Sequence, residues 1–145
     1  MKNSIEEFNS ELRAEIIAQS ESFGDLTENS FFEFFTNYLL DAEVLDTADR
    51  CFYQPPEDNI RIDGYGGDPL DNDSTLSIIV SDYSNSEEIK SINRSEIDLM
   101  CKRATNFVSK CLDSSFRSEL DESSPEFGLA DLINIRWNKI QIFKI

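Results

Sequence analysis

The sequence predicts an α/β (α+β) fold with the core order αβββαβ, in which helices flank a mixed sheet and one extra helix precedes the core. Two observations lead to this prediction. Segments with apolar residues at helical spacing alternate with short β-branched runs, and loops rich in Gly, Pro, Asn and Asp separate the runs. The length of 145 residues suits one domain with a hydrophobic core, and no repeat or linker divides it, so we expect residues 1–145 to form a single domain.

The first two helices are predicted over about residues 3–22 and 28–45, where apolar residues recur three and four positions apart. Asn3 or Ser4 can cap the first helix. Ser30 has the spacing of a capping box, and the alternative is a position one turn inside the second helix. The second helix carries a broad apolar face that includes Tyr38. Four of its aromatic residues form either core with one or two exposed rings or a surface for docking a protein: Phe31, Phe32, Phe34 and Phe35.

Three strands follow the second helix. A short β-prone run begins at Cys51 and stops before two prolines. Two alternating runs, at about residues 59–65 and 75–83, flank a loop rich in Gly and Asp. Because the connections are short, these runs predict a three-stranded antiparallel meander.

The second half of the sequence predicts a helix over about residues 94–113, a polar loop with a short turn, and a further helix over 125–138. Pro125 suits the first turn of that last helix. The end of the sequence, residues 139–145, alternates and is β-branched. We therefore expect a fourth strand, which could pair in parallel with an earlier one.

Composition restricts the available chemistry. The chain has no histidine, which excludes catalytic triads and histidine-ligated zinc. The three cysteines, Cys51, Cys101 and Cys111, form no CxxC pair, so we interpret them as small buried residues. We expect no cofactor other than a hard cation such as Mg²⁺, which carboxylates can bind without imidazole.

The formal net charge of −16 bears on partners and location. Nucleic-acid binding depends on Lys and Arg that neutralise phosphates, so we do not expect this domain alone to bind nucleic acid. Its acidity favours a protein partner, another copy of the chain, or a basic remainder of a longer protein. No apolar run has the length of a membrane span and no signal peptide is present, so we expect a cytoplasmic protein without a membrane partner.

An acid closes each of the two long runs, Asp63 in the first and Asp82 in the second. A buried acid at a strand end is costly, which raises a functional question. The order αβββαβ resembles the core of PD-(D/E)XK nucleases. In that core an acid ends the second strand, an acid-x-lysine ends the third, and the first helix often adds a glutamate. Two or three such carboxylates bind Mg²⁺, and the lysine helps to activate the attacking water.

A narrower resemblance rests on Ile62-Asp-Gly-Tyr65, on the run from Leu76 to Asp82-Tyr83 and on Ile140-Gln-Ile-Phe143. These motifs resemble the N-terminal region of the AIPR family, the abortive infection phage resistance proteins, from about residue 28 to the end. Members of that family are longer than this chain. The resemblance implies the N-terminal domain of a defence protein that acts against phage at the expense of the infected cell.

Carried over from the nuclease pattern, the second-strand acid falls on Asp63. Side chains two apart on a strand share a face, so the lysine position falls on Asp82 and the acid position on Val80. Val80 cannot bind metal and Asp82 cannot supply a cation, while Glu33 is the best candidate on the first core helix. These departures favour a degenerate nuclease-like module that positions or binds a partner.

Two other functions stay open: an active Mg²⁺-dependent nuclease that uses Asp63, Asp82 and Glu33, with Asp63 and Asp82 as metal ligands, and an interaction domain unrelated to nucleases. Each acid also has a structural interpretation. Asp63-Gly64 is consistent with a strand exit at which Gly64 takes a positive φ, Asp82 with the start of a turn, and Glu33 with a solvated or capping residue.

Overall fold

The computed structural model describes residues 4–23, 27–67, 74–82 and 91–145. The helices are α1 (Ser4–Phe23), α2 (Thr27–Asp41), α3 (Arg94–Lys110), α4 (Ser114–Glu119) and α5 (Pro125–Ile135), and the strands are β1 (Asp49–Tyr53), β2 (Ile62–Gly66), β3 (Thr75–Ile79) and β4 (Ile142–Lys144). No helix in these ranges is long and apolar enough to cross a membrane.

The sheet has the order β1-β2-β3-β4. The first three strands form the predicted antiparallel meander, with a register shift between Arg50 and Tyr53 in β1. The last strand pairs in parallel with β3, so that Leu76 lies opposite Phe143. The predicted α/β (α+β) class, with a mixed sheet and an extra N-terminal helix, is confirmed.

The main hydrophobic core lies between the sheet and the helices that follow β3. Phe107 of α3 is fully buried and meets Tyr53 and Phe116 edge to face, at ring-centre distances of 6.1 and 6.3 Å. The cluster is completed by buried residues from all these elements: Cys51, Ile60, Ile62, Leu76, Ile78, Ala104, Val108, Cys111, Leu129, Ala130 and Ile133.

A second packing contact joins α1 and α2 and places α2 against β1. Ile16 of α1 and Phe32 of α2 are its buried apolar residues. The Phe32 ring lies against Gly64 of β2, where a Cβ would overlap both the ring and the backbone carbonyl of Asp49. Gly64 therefore allows α2 to approach the sheet closely.

Helix ends agree with the sequence at some positions and differ at others. Ser124 accepts a hydrogen bond from the Phe127 N–H and Pro125 begins α5, as predicted. Of the two positions considered for Ser30, the one inside the helix is confirmed, because α2 begins at Thr27 and Ser30 is buried within it. The helix also ends at Asp41, before residue 45, because Glu43 takes a left-handed φ of 59°. Asn3 lies outside the described residues.

The polar stretch after α3 contains a regular helix, α4, where the sequence predicted a loop with a short turn. Asp113 caps α4 by accepting a hydrogen bond from the Ser115 N–H at 2.9 Å, and Phe116 anchors the helix in the core. A single buried aromatic residue in a polar segment is too weak a periodic signal to predict a helix.

The ends of the two central strands, β2 and β3, differ from the prediction. Asp63 is the second residue of β2, so it does not end the strand. Gly64 lies inside β2, and Gly67 is the described glycine with a positive φ, so the strand-exit interpretation of Gly64 is wrong. The third strand ends at Ile79, which leaves Asp82 beyond it. Tyr83 lies outside the described residues.

The cysteines divide into two classes. Cys51 and Cys111 are buried, as predicted, and burial raises the pKa of each thiol to about 12. Cys101 is exposed on α3, so the prediction of a buried residue is wrong there. The helical period alone did not show which side of α3 meets the core.

We predict that Gly64→Ala lowers the free energy of unfolding by about 1–3 kcal/mol, because Phe32 or the β1 backbone must shift. The matched control is Gly128→Ala in α5, where a Cβ meets open space. That change should raise stability by about 0.5–1 kcal/mol, because alanine favours helix more than glycine does. Urea denaturation of both variants tests this, and equal effects would contradict the packing described for Gly64.

We predict that one thiol of the native protein reacts rapidly with a disulfide reagent at pH 8, and that this thiol is Cys101. A thiol whose pKa is about 12 supplies almost no thiolate at that pH, and burial also blocks access. Cys101→Ser should remove the fast reaction, and all remaining thiols should react after unfolding. Rapid reaction of two or three thiols in the native protein would contradict the burial of Cys51 and Cys111.

Candidate functional site

A cavity of about 740 Å³ opens beside β2, between the beginning of α2 and the chain that follows β3. The cavity is lined by residues of these three elements and of β1: Glu28, Asn29, Arg50, Phe52, Gln54, Arg61, Asp63, Ser81 and Asp82. Two of the three acids singled out from the sequence, Asp63 and Asp82, therefore share one cavity.

The carboxylate of Asp63 is the buried centre of this site, with 1% of the residue exposed. Its Oδ1 accepts hydrogen bonds from Arg50 Nη1 at 3.2 Å and Arg61 Nη2 at 3.3 Å. Its Oδ2 accepts from Arg61 Nε at 3.2 Å and from the Ser81 backbone N–H at 2.9 Å. Four hydrogen bonds, three of them from two guanidinium groups and one from a backbone N–H, thus compensate the burial of the charge.

Arg50 joins this carboxylate to α2 and β1. Its Nε donates to Asn29 Oδ1 at 2.9 Å, and its Nη1 also donates to the Asp63 carbonyl at 3.3 Å. The guanidinium lies over the rings of Phe32 and Phe52, at 5.2 and 5.4 Å from their centres. These contacts fix the planar Arg50 guanidinium between α2 and the sheet.

Arg61 joins the same carboxylate to the chain after β3. Its Nη2 donates to the Ser81 carbonyl at 2.9 Å, and Ser81 donates its own N–H to Asp63. Both backbone groups of Ser81 are therefore bonded to side chains instead of to a neighbouring strand. This explains why β3 ends at Ile79 although the apolar alternation of the sequence continues.

The other two predicted acids lie in different surroundings. Asp82 follows Ser81, is exposed and lines the cavity. Glu33 is exposed on α2 and is absent from the cavity lining, whereas Glu28, nearer the start of the same helix, lines it. Residues five apart on a helix point in different directions, so Glu28 and Glu33 cannot replace each other.

Sequence reasoning missed the two arginines that hold Asp63. A signal existed for Arg61, because a residue two positions before Asp63 on an extended chain shares its face. No comparable signal existed for Arg50, which reaches Asp63 from β1 beside a register shift that the sequence does not reveal. Glu28 was missed because helical spacing does not show which turn of α2 meets the cavity.

Whether Asp63 can bind a magnesium ion depends on whether its oxygens are available as ligands. A carboxylate offers about four lone-pair sites, and at Asp63 each oxygen already accepts two hydrogen bonds. An ion bound there would have to displace a donor and lie beside two guanidinium charges, so the residues present do not fit Mg²⁺. Within the described ranges no three Asp, Glu, Cys or His side chains are grouped as metal ligands.

Residues 31–145 match the protein family described as "Abortive infection phage resistance protein N-terminal domain". The match covers most of the chain and all the strands, and it includes Asp63 and both arginines. The comparisons with curated proteins and with solved structures gave no match.

We predict that Asp63→Asn lowers the free energy of unfolding by about 3 kcal/mol, because it leaves two partly buried arginines without their counter-charge. Asp82→Asn is the matched control, since it makes the same substitution at an exposed residue of the same cavity and should change stability by less than about 0.5 kcal/mol. Chemical denaturation of both variants is the measurement. Equal stability of the two would show that Asp63 does not organise the site.

Proposed function

We propose that this chain, which belongs to the family of abortive infection phage resistance protein N-terminal domains, is a nuclease-like module that works without cutting. In this proposal it serves phage defence by binding or positioning a partner. The observation that carries the proposal is the hydrogen bonding of Asp63, whose two oxygens are occupied by Arg50, Arg61 and the Ser81 N–H.

The order of the elements supports the nuclease-like part of the proposal. The chain passes from α2 through the meander β1-β2-β3, then through α3, α4 and α5, and returns in β4, parallel to β3. This order is compatible with the αβββαβ core that the sequence motifs resemble, with α1, α4 and α5 as additions.

The chemistry of the site supports the absence of cutting. Hydrolysis by a nuclease of this type needs carboxylates that hold Mg²⁺ and a base or cation that activates water. In this chain Val80 occupies the position of the second acid and packs against the core. Asp82 is exposed, and Glu33 does not line the cavity.

The surface supports a protein partner. Four aromatic side chains form a chain of ring contacts along α2, with neighbouring ring centres 4.8 to 6.4 Å apart: Phe31, Phe34, Phe35 and Tyr38. Tyr38 is 61% exposed. Exposed aromatic surface of this kind is typical of protein interfaces, and the charge of −16 opposes the binding of a polyanion.

One observation favours the competing function, an active Mg²⁺-dependent nuclease that uses Asp63, Asp82 and Glu33: Asp63 and Asp82 line the same cavity. For that function the arginines must release Asp63 when metal binds. The two functions therefore differ in a measurable property, the affinity of the folded protein for Mg²⁺.

We predict that calorimetric titration with Mg²⁺ or Mn²⁺ gives no saturable signal up to about millimolar concentration. Asp82→Asn, which leaves the arginine contacts in place, should behave like the native protein. A site of submillimolar affinity in the native protein that is lost in Asp82→Asn would overturn the proposal and support the nuclease. Asp63→Asn serves as a second test if denaturation shows that it is folded.

We predict that Asp82→Asn and Glu33→Gln retain protection against phage when the gene is expressed in a host that it protects. The measurement is the efficiency of plating, corrected for the amount of protein. Because a metal-dependent nuclease needs its carboxylates, loss of protection in either variant at unchanged abundance would contradict a module that does not cut. Loss in Asp63→Asn accompanied by reduced abundance would follow from its lower stability alone.

A further inference from the structure

The arginines beside Asp63 keep hydrogen-bonding capacity that the described residues do not use. Arg50 bonds through Nε and Nη1, and Arg61 through Nε and Nη2. Across the described parts of the chain, Arg50 Nη2 and Arg61 Nη1 make no hydrogen bond. Neither nitrogen is among the buried unpaired atoms of the described residues, and both arginines line the cavity. The cavity thus presents two immobilised donors that carry positive charge.

These donors are preorganised for an oxyanion. The side chains of Arg50 and Arg61 are only 25% and 27% exposed, and hydrogen bonds and aromatic rings fix both guanidinium planes. A ligand that binds them therefore does not have to order flexible side chains, which is a main cost of binding. Guanidinium groups match the geometry of phosphate and carboxylate oxygens.

The cavity also offers a surface for a planar group. Phe52 of β1 is 50% exposed although it lies beneath both guanidiniums, so part of its ring remains open. The amides of Asn29 and Gln54 line the same space. The volume of about 740 Å³ falls among those of small-molecule sites, which span about 300–1,000 Å³. An aromatic ring with polar edges can bind such a surface by stacking and by hydrogen bonds.

The acids at the cavity restrict the size of the ligand. Glu28 and Asp82 are both exposed and line the cavity together with the arginines. With a net charge of −16 around them, they oppose a long polyanion much more than a small molecule that bears one phosphate group. The chemistry therefore favours a free small ligand over a nucleic-acid strand.

We propose that this cavity binds a small phosphate ester with a planar ring, of the nucleoside monophosphate class. The phosphate is bound by Arg50 and Arg61, and the ring lies on Phe52. The inference rests on the proposed function, in which the arginines stay on Asp63 and the cavity holds no metal. The domain would then sense or retain a nucleotide without hydrolysing it.

The test is calorimetric titration of the native chain, in EDTA and at low salt, with AMP, inorganic phosphate, adenosine and a 5′-phosphorylated oligonucleotide. We expect AMP to bind with about millimolar affinity or tighter. Phosphate and adenosine should each bind at least about tenfold more weakly, because each makes only part of the contacts. The oligonucleotide should bind more weakly than AMP. Tighter binding of the oligonucleotide would overturn the assignment to a free nucleotide.

Four variants locate the site. Arg61→Gln should weaken AMP binding by about tenfold or more through loss of a charged donor. Lys110→Gln is its matched control, since it removes the same charge from a different surface pocket, and it should change nothing beyond about twofold. Phe52→Leu should weaken AMP but not phosphate, whereas Asp82→Asn should strengthen AMP by about two- to fivefold because it removes a like charge.

The variants at exposed residues keep the test decisive if Arg61→Gln unfolds. Absence of AMP binding to the native chain, or binding that Phe52→Leu and Asp82→Asn leave unchanged, would overturn the inference. Because the AMP titration is carried out in EDTA, its result does not depend on whether the protein binds Mg²⁺. A magnesium site would contradict the proposed non-cutting module, whereas failure of AMP to bind would contradict only the proposed nucleotide ligand.

Discussion

The burial of the Asp63 carboxylate determines how α2, β1, β2 and the chain after β3 are held together. An isolated charge inside a protein costs several kcal/mol even after relaxation, so a buried carboxylate such as that of Asp63 needs hydrogen-bond donors around it. Those donors come from Arg50 on β1, from Arg61 before β2 and from the Ser81 backbone after β3. The contact of Arg50 with Asn29 extends the network to α2. One side chain therefore fixes the relative positions of a helix and three segments of the sheet.

The same network changes the electrostatics of a strongly acidic chain. The net charge of −16 would predict a surface that rejects anions everywhere. Beside Asp63, however, two guanidiniums lie at the wall of a cavity, and each has one nitrogen that bonds to none of the described residues. The anion binding that we propose depends on this local geometry and not on the total charge. In the same proposal, the exposed acids at the cavity limit the ligand to a small one.

Sequence alone predicted the class of fold because periodic apolar patterns depend on local structure. It also identified Asp63, as an acid that closes an apolar-alternating run, although the structure places Asp63 inside β2. It failed where a tertiary contact overrides a local pattern. The alternation through Val80 predicted a longer strand, but the Ser81 backbone bonds to Asp63 and Arg61 instead. Arg50 could not be predicted because its approach to Asp63 depends on a shift in strand register.

The position of the arginines suggests how a nuclease-like site can bind without cutting. In a metal-dependent nuclease, Mg²⁺ neutralises the carboxylates, attracts the phosphate and generates the nucleophile from water. At Asp63 the guanidiniums neutralise the acid, and in the proposed binding they would also donate N–H groups to the phosphate. They cannot generate the nucleophile, because a guanidinium is always protonated and coordinates no water for deprotonation. The proposed loss of hydrolysis and the proposed retention of phosphate binding thus have one common cause.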